Sequence, residues 1–171
     1  MTQVLFPQSA RLGGTSEVGI VKIISGGQTG VDRGALDLAI ELGLEHGGFC
    51  PQGRRAEDGV IPARYVLEST RSTGYPQRTR MNVQLADATL ILTPERHPRG
   101  GTRMTAKMAH ERGTPWLAAD PTREEHVVKV ASWLEKTDPA VLNVAGPRES
   151  KCPGVQRSTT AFLRMVFERL S

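Results

Sequence analysis

Three glycine-bearing segments carry the residue types that grip a negatively charged small molecule: Ser25 to Arg33 (SGGQTGVDR), Arg99-Gly100-Gly101-Thr102, and Gly146-Pro147-Arg148-Glu149-Ser150. Each follows a run of apolar residues and precedes a helical pattern. Small residues there let backbone N–H groups approach a ligand, and the helix that follows presents its positive end, so together they make an anion cradle. In the first segment Gly26, Gly27 and Gly30 shape the turn, while Gln28, Thr29, Asp32 and Arg33 add polar contacts. It is not a Walker loop, since no Gly-Lys-Ser/Thr follows, and its glycines do not fit G-x-G-x-x-G. In the second, Thr102 has two uses, to cap the helix or to hydrogen-bond an oxyanion. Any one of these segments also reads as a tight turn; their recurrence at three strand ends points to one shared site.

A second group of candidates lies in the long middle segment, where PQGRRAEDG supplies Arg54, Arg55, Glu57 and Asp58. A solvated mixed-charge loop is the plain reading, but structureless stretches this long in compact domains are usually functional or disordered. Arg78, Arg80 and Asn82 open the next helix, and Arg78 and Asn82, one turn apart, share a face. Asp32, Glu57 and Asp58 are the candidates for a catalytic base or a Mg²⁺ ligand if the protein is an enzyme. Cys50 and Cys152 are too few for a disulfide scaffold and read as buried bystanders, while His46, His97, His110 and His126 show no ligand spacing, so no metal site is expected. No Ser-His-Asp or Cys-His arrangement can be assembled.

The elements that must position these loops alternate along the chain. Strands are expected at 18–24, 46–50, 88–93, 116–119 and 141–145. Helices are expected at 32–42, 76–86 and from Gly100 to Arg112, then after a Thr122/Glu125 capping box, and finally on a face formed by Phe162, Leu163, Val166, Phe167 and Leu170. Gly43 is placed to cap the first helix, Pro76 suits a helix start, and Trp116 and Trp133 read as core. Strand and helix alternating five times, with strands apolar on both faces, argue an α/β domain whose mainly parallel five-stranded sheet is covered by helices on both sides. In such sheets ligands sit beyond the carboxyl ends of the strands, which is where the three glycine loops fall.

With 171 residues and 38% hydrophobic content the chain reads as one domain, residues 18–171, behind a loose leader at 1–17. The net charge of +4 comes mostly from arginine, whose planar fork suits phosphate-like oxyanions. There is no long basic tract and aromatics are 5%, which argues against nucleic acid. No membrane-spanning run and no signal architecture are visible, so the expected location is cytoplasmic.

The stretches ISGGQTGVDRGALDLAIELGLEHGGFCPQGRRAEDGVIPARY, ADATLILT, GGT and LNVAGPRES resemble the putative molybdenum carrier family. That family is also described as the circularly permuted YpsA-like branch of the Rossmann-like nucleotide-binding superfamily containing LOG and TIR-like proteins. The resemblance runs from about Val21 to the last helix. It implies a single three-layer Rossmann-like domain that binds or carries a phosphate-bearing small molecule, either molybdenum cofactor or a nucleotide. The contacts it implies come from Gly26 to Gly30, Asp32 and Arg33, from Gly100 to Thr102, and from Gly146, Pro147, Arg148 and Glu149. It also implies a homo-oligomer. One departure bears on activity: the related LOG enzymes carry a Glu three residues after the Thr of their Gly-Thr motif, and here that position is Thr105. A nucleotide hydrolase or a nucleotide sensor is the alternative reading.

Overall fold

The computed structural model describes residues 18–171, so the expected leader at 1–17 lies outside the described residues. In chain order the elements are β1 (Lys22–Ile24), α1 (Val31–Glu41), β2 (Glu45–Gly47), β3 (Phe49–Cys50), a 3₁₀ turn (Gln52–Arg54), β4 (Arg55–Ala56), β5 (Gly59–Val60) and β6 (Glu68–Ser69). They continue with α2 (Tyr75–Leu85), β7 (Ala88–Leu92), α3 (Gly100–Arg112), β8 (Trp116–Ala119), α4 (Glu125–Thr137), β9 (Val141–Ala145) and α5 (Val155–Leu170).

Five strands form one sheet in the order β2-β1-β9-β7-β8, and every pairing in it is parallel. The last strand of the chain therefore occupies the centre. If the chain were opened just before β9 and its ends joined, the order would read 3-2-1-4-5, the arrangement of a doubly wound nucleotide-binding half with its last two strands on one side. The architecture is an α/β Rossmann-like fold in three layers.

Side chains alternate across the sheet as the strand period demands. Ile23, Leu90, Leu92, Leu142 and Val144 face the layer made by α1, α4 and α5, and join the apolar stripes of those helices in the main core. The stripe of α4 is Val127, Val130, Ala131 and Leu134, and that of α5 is Phe162, Leu163, Val166 and Leu170. The opposite face of the sheet is covered by α2 and α3, and there Asn143 donates to the hydroxyl of Thr89 at 3.3 Å. Helix α1 ends as its glycine suggests: the N–H groups of Gly43 and Leu44 bond to the carbonyls of Ile40 and Ala39, the pairing of a Schellman cap.

Four expectations need correction. The second strand, expected over 46–50, is broken at Gly48 (φ 115), so β2 joins the main sheet while β3 pairs with β6. The long middle segment is not structureless: it holds the β3–β6 pair and the β4–β5 hairpin, closed around a small core of Leu36, Cys50, Ala56, Ile61 and Tyr65. The capping box does not form, because both the N–H and the hydroxyl of Thr122 bond to Asp120 and α4 begins only at Glu125. Trp116 lies on the outer strand β8 and is 38% exposed rather than core.

Candidate functional site

The carboxyl ends of β1, β9 and β7 are adjacent in the sheet, so the loops that leave them meet. Between them and the start of α2 lies a cavity of about 740 Å³. Its wall takes Gln28 and Asp32 from the β1 loop, Gly146, Pro147 and Arg148 from the β9 loop, and Gly100, Gly101 and Thr102 from the β7 loop and α3. Tyr75, Pro76, Arg78 and Thr79 come from α2, and Glu95, Arg99, Met104, Thr105, Ala145 and Lys151 complete it. Four cationic side chains thus face two carboxylates, a balance that favours an anion.

The first turn of α3 points the same way. Its N-cap residue, Arg99, is extended and makes no side-chain capping bond, so the opening N–H groups of the helix have no intrahelical acceptor. A Cβ placed on Gly101 would meet nothing within 4 Å, so the space in front of this turn is open. Thr102 is the third residue of the helix rather than its cap, and Thr105 turns its hydroxyl back onto the carbonyl of Gly101 at 2.9 Å.

The β1 loop is built differently. The amide of Gln28 bonds to Asp32 (3.2 Å), that of Thr29 to the side-chain oxygen of Gln28 (3.1 Å), and that of Gly30 to Gln156 (3.3 Å). The amide of Val31 bonds to the carbonyl of Pro147 (3.2 Å). Four successive donors are spent on the protein itself. Gly30 lets the β1 and β9 loops nest, and Gly146 lets the β9 loop lie against the end of β7. A Cβ on Gly30 (φ 86) would lie 2.5 Å from the Pro147 carbonyl, and one on Gly146 would lie 2.1 Å from that of Leu92.

A sequence model of the circularly permutated YpsA SLOG family matches residues 23–167. The chain belongs to that family. A circular permutation is consistent with the sheet, in which the central strand comes last in the sequence. Among solved structures the chain is similar to one described as a putative molybdenum carrier protein from Syntrophus aciditrophicus SB. The two share 40% identity over 87% of this chain and 95% of the other, with a TM-score of 0.83. No curated protein matches the chain.

In this SLOG-family chain the cavity gathers half of the residues singled out in the sequence: Gln28, Asp32, Arg78, Gly100, Gly101, Thr102, Gly146, Pro147 and Arg148. The others lie outside its wall, and most of them tie the surrounding loops together. The guanidinium of Arg78 lies over Gly26, where a Cβ would be 1.5 Å from Nη1, and Gly27 packs against Leu67 and Ile61. Arg33 donates to the Gly27 carbonyl and makes a two-pronged ion pair with Asp58 at 2.6 and 2.8 Å. Arg54 donates to the carbonyls of Ile61, Pro62, Tyr65 and Leu67 and so pins the middle segment. Arg55 is exposed outside the cavity, and Arg80 is exposed on α2. Asn82 brackets Phe49, accepting from its N–H at 2.7 Å and donating to its carbonyl at 3.0 Å. Glu149 receives the N–H groups of Gly154 and Gln156 and caps α5.

Glu57 also works as a tie. It accepts from Thr29, from the amide of Ser150 (3.1 Å) and from the Ser150 hydroxyl, with Arg148 at 3.8 Å. Partial burial works against its charge, but the hydrogen bonds from Ser150 and Thr29, with Arg148 nearby, outweigh this and hold the carboxyl below its ordinary range. The hydrogen bond from Arg33 lowers Asp58 in the same way, against partial burial. Among the described residues no three His, Cys, Asp or Glu side chains group as metal ligands. No described helix is long and apolar enough to cross a membrane.

The cavity also uses residues that the sequence did not single out: Tyr75, Thr79, Glu95, Met104 and Lys151. Lys151 lies one residue beyond the third glycine loop, so extending that loop would have found it. Tyr75 precedes Pro76 at the helix start, a position that carries no binding signal of its own.

Proposed function

We propose that this cavity binds and carries a phosphate-bearing small molecule, with the ligand's anionic group against the first turn of α3. The supporting observation is the coincidence of open N–H donors at Gly100, Gly101 and Thr102 with Arg78, Arg99, Arg148 and Lys151 around one cavity of about 740 Å³. That volume falls within the usual range of small-molecule sites and suits a nucleotide or a pterin of the molybdenum cofactor type. The molybdenum carrier description of the similar structure supports the second candidate. In such cargo the metal travels inside the organic ligand, so the protein needs only to hold the pterin phosphate and to supply donors for the oxygens on the metal.

Gly101→Asp tests the site without testing the fold. A carboxylate in the first helical turn stabilises a helix, and the added side chain meets open space. Calorimetric titration with AMP, ADP, molybdate and molybdenum cofactor should show the wild-type protein binding at least one of them. The variant should bind it at least tenfold more weakly at an unchanged or higher melting temperature. Equal affinity would reject the site. Gly27→Val would be a poor substitute, because its side chain would run into Leu67 and test packing instead.

A hydrolase reading rests on the two carboxylates that line the cavity, Asp32 and Glu95. Asp32 is 3% exposed and already accepts from Arg78 (3.1 Å) and the Gln28 amide, so it is engaged as an ion-pair partner. Incubation with nucleotides and Mg²⁺ separates the readings: release of base or phosphate that disappears in Asp32→Asn would favour the enzyme. Homo-oligomer formation is part of the same proposal, supported by exposed Trp116 on the outer strand of the sheet, and sedimentation with and without ligand tests it.

A further inference from the structure

The orientation of one amide fixes the direction of a hydrogen bond at the start of α2. The side-chain oxygen of Gln28 receives two backbone donors, the N–H of Thr29 at 3.1 Å and the N–H of Glu57 at 2.9 Å. Turning the amide over would set its NH₂ against both donors, so the oxygen must stay where it is. The Gln28 nitrogen then faces the Tyr75 hydroxyl at 3.2 Å and donates to it. Because the phenol oxygen accepts this bond, its own proton is directed elsewhere, and Tyr75 lines the cavity. Among the described residues no acceptor takes that proton.

Two guanidiniums stand by the same ring, Arg148 at 5.1 Å and Arg78 at 5.6 Å from its centroid. Both also line the cavity. Arg78 gives one nitrogen to Asp32, while its Nε is buried without a partner. Arg148 has Glu57 only at 3.8 Å. Arg78 is paired with Asp32 through one nitrogen only and, among the described residues, Arg148 has no carboxylate closer than 3.8 Å, so an oxyanion engages their remaining donors together with the phenol.

We propose that Tyr75 is a ligand-binding residue whose hydroxyl donates to a tetrahedral oxyanion, phosphoryl or molybdate-type, held between Arg78 and Arg148. The inference rests on the reading of this cavity as an anion site and adds to it a neutral, directional donor. Gln28 is the positioning residue that keeps the Tyr75 proton available.

The chain has only two tyrosines, which makes the test direct. Tyr65 is 1% exposed and donates to Asp37 at 2.7 Å, so it serves as an internal reference. With tyrosine labelled at Cζ, addition of ADP, inorganic pyrophosphate or sodium molybdate should move the Tyr75 resonance and leave that of Tyr65 in place. Tyr75→Phe keeps the ring beside both arginines but removes the donor, and should bind the active probe about tenfold more weakly, the size expected for a hydrogen bond to a charged group. Gln28→Glu still accepts from Thr29 and Glu57 but offers its second oxygen to the phenol and consumes the proton.

Gln28→Glu should therefore weaken binding more in the wild-type background than in Tyr75→Phe, a comparison in which the effect of the added charge cancels. Tyr75 dependence in the pyrophosphate and ADP arms identifies a phosphoryl group, and dependence in the molybdate arm identifies an oxometalate. If no probe binds, the anion site itself fails and this inference with it. If Gly101→Asp weakens binding but Tyr75→Phe does not, or the two Gln28→Glu effects are equal, the anion site stands and the role of Tyr75 is overturned.

Discussion

Glu57 and Asp58 form the turn of the β4–β5 hairpin and reach different partners: Glu57 reaches Thr29 in the β1 loop, and Asp58 reaches Arg33 in the first turn of α1. Both carboxyls are held below their ordinary range, so each stabilises the fold fully above its unfolded pKa, and the contribution disappears as pH falls through the lowered folded value. Asp58→Asn should accordingly lower the melting temperature at pH 7, and the gap from wild type should close once acid has protonated the native carboxylate; a gap that stays constant with pH would assign Asp58 no ionic role. Half of the candidate site was legible in the residues because glycine marks a strand-to-helix turn whatever the turn goes on to hold. Arg54, Asn82 and Glu149 carry the right functional groups, but irregular backbone and helix ends nearby need partners first, and these side chains supply them. Tyr75 was illegible for the opposite reason, since its use depends on an amide 47 residues away.

Among the elements, β3 shows most plainly how a short strand survives. It has two residues and pairs with β6 on one side, while on the other Asn82 of α2 supplies the donor and acceptor that a neighbouring strand would provide. Asn82→Ala should destabilise the protein by about 2 kcal/mol or more, because it leaves the Phe49 N–H and carbonyl unpaired. The same variant should leave calorimetric affinity at the cavity close to wild type, since Asn82 is not in its wall; a loss of affinity at unchanged stability would put Asn82 in the site after all. Four strands of the main sheet and all five helices could be read from apolar runs and helical periods, whereas β2, with the sequence Glu-His-Gly, shares only His46 and Gly47 with the strand expected there. The β3–β6 and β4–β5 pairs could not, because two-residue strands are shorter than one repeat of the pattern used to find them. Strand order was equally hidden, since β7 and β9 are buried on both faces and periodicity says nothing about their neighbours.

For the molecule as a whole, the controlling fact is that β9 lies between β1 and β7. Helix α5 runs alongside α1 in the same direction, with Thr160 bonded to the Gly34 carbonyl and Arg164 paired with Glu41, so it returns from the site toward the edge where β1 begins. A chain that starts at Pro139 and carries a flexible link from Ser171 to Val18 restores the unpermuted strand order. It should give the wild-type circular dichroism spectrum, a single unfolding transition and the same ligand affinity. Two separate transitions would show that the natural order of the strands is required for a cooperative fold. That order also has a meaning for synthesis. The ribosome releases β1 with β2, then β7 with β8, as two pairs that share no ladder until β9 arrives. Until then each pair exposes an unfilled inner edge, the kind of surface that sticks to other chains. Only when β9 has been made can the cavity close, and a premature stop ahead of Val141 leaves two half-sheets with nothing to join them.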